Sequence, residues 1–143
     1  MGMIANERQY QQTRKRLAEL VQLLAGIEAG TAGDEGFRDL QAAGVAGQAE
    51  DLRAELSEYE ELRRGATTTI ESSTLAGLAD ALIKARIARG WTQADLAKAL
   101  GVAEQQVQRY EGSRYAGASL ARLCDIAGAL DVTVRETLTL RAS

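Results

Sequence analysis

Apolar residues recur at steps of three and four early in the chain. Leu17, Leu20, Val21, Leu24 and Ile27 form one stripe and predict an amphipathic helix from about Met3 to Glu28. The run Ala29, Gly30, Thr31, Ala32, Gly33, Asp34, Glu35 and Gly36 then predicts a break, because flexible residues and turn formers dominate it. A second stripe, Leu52, Leu56, Tyr59 and Leu62, predicts a helix running through Arg64. Gly44 and Gly47 blur its start, since a helical Gly costs ~1 kcal/mol relative to Ala. Gly65 ends it, behind the basic pair Arg63-Arg64 that suits a helix C-terminus. Two narrow stripes cannot enclose a core alone. The expected hairpin, with coiled-coil character, must pack on itself, on the rest of the chain, on a second subunit or on another partner.

The pattern changes at Ala66-Thr67-Thr68-Thr69-Ile70-Glu71, where β-branched residues favour an extended segment. A counterpart lies at Val132-Thr133-Val134-Arg135-Glu136-Thr137-Leu138-Thr139-Leu140. A short β ribbon is expected, either about 66–71 with 132–140 or each segment with its copy in a second subunit, since an isolated two-stranded ribbon is marginal. Between the two segments lie four short helical patterns. The first, Leu75 to Ala88, turns Leu78, Leu82 and Ile83 inward and ends at Arg89-Gly90. The second opens on Thr92, a cap with Asp95 three residues on, and turns Leu96 and Leu100 inward before Gly101. The third, about Ala103 to Glu111, buries Val107 and Tyr110. The fourth starts at Ser119 and buries Leu120, Leu123, Ile126 and Leu130, with Cys124 on the same apolar side as a small hydrophobe. The organisation expected is therefore a mainly α chain with a helical hairpin over 1–65 and a second domain over 66–143.

Composition narrows the functions available. The 143 residues are 45% hydrophobic and 26% charged, with no apolar run near the ~20 residues of a membrane span. The N-terminus turns charged at Glu7 before a signal-peptide core develops. A single cysteine cannot form an intrachain disulfide, as expected of a cytoplasmic protein. With no histidine, a Ser or Cys nucleophile has no His base, and no His/Cys cluster can hold zinc. No catalytic residue, metal ligand or cofactor site is predicted. The net charge of -3 divides unevenly: residues 1–74 carry 8 basic and 13 acidic side chains, residues 75–143 carry 9 and 7. The positive excess lies in the half with the four short helices, where it suits a polyanionic partner.

The second and third of these helices, joined by a glycine turn, form a helix-turn-helix pattern. Counted from Gln93, Ala97 is fifth, where a small residue lets the helices approach, and Gly101 is ninth, where the turn needs positive φ. Val107 is fifteenth and plugs the third helix into the core. Taken from Thr92 to Glu111, TQADLAKALGVAEQQVQRYE resembles the core of the Cro/phage-repressor (XRE) family, with similarity over about residues 75–134. The resemblance implies a lambda-repressor-like bundle of five helices that binds double-stranded DNA as a homodimer on a palindromic operator. The family includes repressors and antitoxins that repress their own operons. Three departures stand out: Val102-Ala103 where the third helix has a Ser or Thr cap, Gly112-Ser113 in place of Asn-Gly, and the β-rich tail in place of a full fifth helix.

With Val107 and Tyr110 inward, the opposite face at ~100° per residue centres on Gln105, flanked by Gln108 and Arg109. Gln pairs bidentately with adenine and Arg with guanine. Glu104, near the helix start, accepts from a cytosine amino group or else repels phosphate. The resemblance marks Glu104, Gln105 and Arg109 as base readers; Gln108 is a fourth candidate or a solvent-facing residue. It also implies a phosphate contact for Gln93, and places Arg114 and Tyr115 where the chain follows the DNA backbone. Arg89 and Lys98 are further phosphate candidates, with plain solvation the competing reading for Lys98. Arg86 and Glu111 match an internal ion pair of the family. Trp91 is expected as a core cap, with base stacking the alternative. Two functions follow: a dimeric repressor, or an antitoxin whose acidic hairpin covers a basic toxin while the rest of the chain represses the operon.

Overall fold

Tyr10, Thr13, Leu17, Leu20, Leu24 and Ile27 alternate steps of three and four, and each is buried or half-buried on helix α1 (Glu7–Ala29). The same alternation runs through Arg38, Ala42, Val45, Ala49, Leu52, Leu56 and Tyr59 on α2 (Glu35–Arg63). A seven-residue repeat of this kind keeps one seam facing a neighbouring helix along its whole length, and α1 packs against α2 as a hairpin. The computed structural model describes residues 2–30 and 33–142. Within them the chain forms two compact units, residues 1–67 and 68–143.

The hairpin begins later than its periodicity suggests. Residues 3–5 are not helical; Ile4 and Ala5 are buried, and Asn6 caps α1 by accepting from the Gln9 amide at 2.9 Å. Val21, expected inward, is 43% exposed, because Leu20 and Leu24 already occupy the seam on either side of it. The expected break is also shorter: Glu35 and Gly36 are helical, and Thr31 and Ala32 lie outside the described residues. At the open end, Arg63 binds Glu7 at 2.8 Å and lies over the rings of Tyr10 and Tyr59, while the Tyr10 hydroxyl donates to Glu60 at 2.7 Å. Partly exposed pairs of this kind contribute little singly, so the apolar seam carries the hairpin.

The second unit is built from α3 (Leu75–Ala88), α4 (Gln93–Leu100), α5 (Glu104–Gly112) and α6 (Leu120–Ala129). Leu82, Ile83, Leu96, Val107, Ile126 and Leu130 are at most 1–2% exposed and form its core. Two expectations for α6 fail: Leu120 is 73% exposed and Cys124 is exposed, while Ile126 and Leu130 are buried and Leu123 half-buried. Leu120 directly follows the Ser119 cap, and the first turn of the helix stands clear of the core. The expected ribbon within the chain is absent. Residues 66–72 and 132–142 have neither turn nor bend, and no strand ladder forms among the described residues.

Gly44 and Gly47 lie inside α2, and a Cβ built at either meets nothing within 4 Å. Replacing each with alanine removes backbone freedom from the unfolded chain without a clash, for about 0.5–1 kcal/mol apiece. The Gly44→Ala, Gly47→Ala variant is therefore expected to unfold several degrees higher, which thermal unfolding followed by circular dichroism measures.

Candidate nucleic-acid interface

Helix α5 takes its position from the helix before it. Thr92 caps α4 through a reciprocal box: its hydroxyl accepts from the Asp95 amide at 3.1 Å, and Asp95 accepts from the Thr92 amide at 2.8 Å. That backbone donor, more than any other group, holds the Asp95 carboxyl below its ordinary value of 3.8. At the far end Gly101 adopts φ 72°, and the amide of Val102 donates back to the Ala97 carbonyl at 3.0 Å. A non-glycine residue at that φ costs roughly 1–2 kcal/mol. Helix α5 then starts at Glu104, with Ala103 at the cap position and no side-chain cap, as the sequence implies.

The inner side of α5 is fixed by Val107, which is fully buried, and by Glu111, which is 4% exposed. Arg86 of α3 meets Glu111 in a two-pronged pair: Nε donates to Oε2 at 2.8 Å and Nη2 to Oε1 at 2.7 Å. A third donor, Nη1, reaches the Trp91 carbonyl at 2.7 Å. Gln93 is buried and its amide donates to Glu111 at 3.4 Å, so its side chain braces α5 from α4. Trp91 is half-buried, as expected of a core cap.

The outer side of α5 presents Glu104, Gln105, Gln108 and Arg109, all exposed. Gln105, Gln108 and Arg109 stand at i, i+3 and i+4 and form one ridge. Glu104 accepts from the Gln108 amide at 3.3 Å, which ties two of the four together. Among the described residues Arg109 has no carboxylate partner, so its guanidinium is open to an acceptor outside the chain.

The residues expected at phosphates are placed unevenly. Lys98 is exposed. Arg89 is engaged, donating from Nε to the Leu130 carbonyl at 2.8 Å and from Nη2 to that of Asp131 at 2.9 Å. Arg114 pairs with Asp80 of α3. Tyr115 is 5% exposed and stacks on Tyr110 at 5.8 Å, and burial pushes its phenol pKa up. Only its backbone remains near the surface role foreseen for it. Arg114 and Tyr115 also adopt φ of 52° and 58°, a left-handed pair that no sequence signal marks, since neither is Gly or Asn.

Two outcomes follow for stability. Glu111→Ala leaves a buried guanidinium unpaired and is expected to cost about 3–5 kcal/mol, whereas the Arg86→Met, Glu111→Leu double variant costs less than its two single changes summed, as denaturant unfolding reads. Folding lowers the Asp95 pKa, so its contribution is complete above the ordinary 3.8 and is lost as pH falls through the folded value. The native chain should thus lose more stability between about pH 4 and 2 than Asp95→Ala does, in thermal melts across that range.

No curated protein and no solved structure matches the chain. The helix-turn-helix family model matches residues 82–136, which span the second half of α3, the α4–α5 pair and α6. That family is a DNA-binding, regulatory one and not an enzymatic one. Residues 82–136 are thus similar to helix-turn-helix domains of the Cro/C1 type (XRE), and the likeness covers that part of the chain alone.

Proposed function

We propose that the chain is a sequence-specific, dimeric transcriptional repressor of the cytoplasm that reads the major groove of a palindromic operator with α5. The observation that carries this reading is the ridge of Gln105, Gln108 and Arg109, exposed on a helix whose opposite side is locked by Val107 and the Arg86–Glu111 pair. A base reader must hold its donors in place before contact, and a helix bolted to its neighbours on one face does so. Gln105 then recognises adenine and Arg109 guanine, each through two parallel hydrogen bonds. Glu104 accepts from a cytosine amino group, and Gln108, held by Glu104, contributes from the edge of the ridge. Lys98 supplies a phosphate contact, while Gln93, whose side-chain amide is buried against Glu111, would reach a phosphate from the start of α4 through its main-chain amide. Arg89, Arg114 and the backbone at Tyr115 serve as phosphate donors only where their internal partners leave a hydrogen free. A single recognition helix covers little DNA, which favours two copies on half-sites ~34 Å apart.

A second reading has its own observation. The hairpin exposes Val21, Leu23, Phe37 and Leu40 around its loop end, the last two at 59% and 71%. Residues 20–27 and 40–49 carry no charge, Phe37 lies between Glu35 and Arg38-Asp39, and residues 1–74 as a whole are acidic. An apolar patch on an acidic arm suits a basic protein partner, as an antitoxin would need. Growth rescue on co-expression with the product of a neighbouring small basic reading frame supports this reading; absence of rescue leaves the plain repressor.

Selection of bound fragments from random duplex DNA tests the first reading. The native chain should enrich a palindrome. Each bidentate pair is worth ~1–3 kcal/mol of discrimination, so the Gln105→Ala, Arg109→Ala variant should lose preference by more than about tenfold. Lys98→Ala should instead weaken binding evenly across sequences and reduce the salt dependence by about one charge. Equal enrichment by native and double variant would refute base reading by α5.

A further inference from the structure

On α2, Phe37, Leu40, Gly44 and Gly47 recur at steps of three, four and three, so they share one face. At ~100° per residue that face is turned ~150° from the seam of Arg38, Ala42, Val45 and Ala49 that packs on α1. Phe37 is 59% and Leu40 71% exposed, while a Cβ at either glycine meets nothing within 4 Å. Neither glycine has positive φ, so no turn requires it, and each weakens the helix it sits in. Among the described residues, nothing in the chain makes use of them. A helical glycine has one further use, which is to let a neighbouring molecule come close. Two large apolar side chains beside two glycines on an outward face amount to two knobs and two hollows.

We infer that this face of α2 packs antiparallel on the same face of a second copy, with the two-fold axis at the height of Ala42. The contact deepens the dimer of the proposed function and rests on that reading for its purpose. Shape selects a second copy as the occupant. Residues equally far to either side of Ala42 then stand level, which sets Phe37 against Gly47 of the second copy and Leu40 against Gly44. On the flank of the same face, Gln41 meets Ala43, again long against small. Charge agrees. Residues 40–49 carry none, and Glu35, Arg38 and Asp39 stand ~120° or more round the helix from the centre of the face. The stretch 50–61, with six acidic residues and one basic, lies beyond the overlap, because α2 of the second copy begins level with Ala49. The two acidic stretches thus run off to opposite ends, and the pair forms without bringing them together. A basic protein would meet no carboxylate on this face. The overlap covers residues 35–49 of each helix, about 22 Å. One helix pair of that length is small beside a stable interface, so the dimer is a weak one that two adjacent half-sites tighten.

Sedimentation equilibrium of the full chain without DNA, over about 1–200 µM, should show monomer and dimer in exchange with a Kd in about the micromolar range. The Gly44→Ala, Gly47→Ala variant separates fold from contact. Its added methyl groups fill the hollows, so its Kd should rise by about tenfold or more. At dilutions where both proteins are monomeric, the same variant should melt higher than the native chain, which excludes misfolding as the cause. The register is read in a Cys124→Ser background, which removes the exposed thiol. On mild oxidation, Phe37→Cys mixed with Gly47→Cys should give about tenfold more disulfide dimer than either variant alone, because like positions stand ~15 Å apart along the axis. A native chain that stays monomeric, an unchanged Kd in the glycine variant, or equal crosslinking in the mixture and alone would overturn the contact. If the chain dimerises in this register yet binds no DNA, the operator reading falls and the contact between hairpins stands.

Discussion

The pairing of Arg86 with Glu111 is the interaction on which the second unit depends. Both side chains are at most 3% exposed, and the guanidinium meets the carboxylate through two donors and a main-chain carbonyl through a third. Removing two charges from water costs several kcal/mol each, so such a pair is a poor source of stability compared with apolar packing. Its value is directional. A leucine in place of Glu111 could slide along α3, whereas a forked ion pair accepts one rotation and one height of α5. Gln93 adds a second constraint from α4, so the helix that presents Gln105 and Arg109 is referenced to both of its neighbours.

Much of this arrangement is visible in the residue pattern, because it rests on local rules. Thr92, Asp95 and Gly101 state the ends of α4 through capping chemistry and the need for positive φ, and the structure places all three in those roles. The seam of the hairpin follows from spacing, although Tyr10 and Thr13 extend it beyond the strictly apolar residues, and Val21 falls off it. What sequence hides is which partner a cation meets. Arg89 and Arg114 read as solvent-facing bases from their neighbours in the chain, yet their partners lie 34 to 42 positions away. Tyr115 is hidden for a related reason. Its left-handed backbone turns a residue that follows the helix back onto Tyr110, which an α or extended continuation would not do. The outward-facing residues of α5 are easier to foresee, since burial of Val107 determines which side of the helix remains outside.

The backbone after α5 carries a cost of its own. Two successive non-glycine residues in the left-handed region cost roughly 1–2 kcal/mol each. The surroundings offset this: the Tyr115 amide donates to the Tyr110 carbonyl at 2.7 Å, the Tyr115 ring is buried, and Arg114 holds Asp80 on α3. The effect is to end α5 abruptly and tie its exit to the same helix that Glu111 grips. The C-terminal end of α5 is therefore tied twice to α3, and among the described residues the outer face carries the Glu104–Gln108 bond alone.

Electrostatics then bears on how the chain can bind a polyanion. Arg86, Arg89, Arg114 and Arg122 each have an acidic partner inside the second unit, which removes them from the pool of cations that could release counterions from DNA. Arg109 and Lys98 remain on the helix-turn-helix, and Arg135 and Arg141 on the tail. On the proposed reading, a unit with so few available charges would have weak non-specific affinity, and one copy on one half-site would be held loosely. Two copies on one palindrome would double those cations. On the proposed reading, binding strength is therefore a property of the pair, while selectivity belongs to the ridge of Gln105, Gln108 and Arg109 on each copy. The low charge of each unit would suppress binding to arbitrary DNA and leave the correctly spaced palindrome as the site where both copies engage.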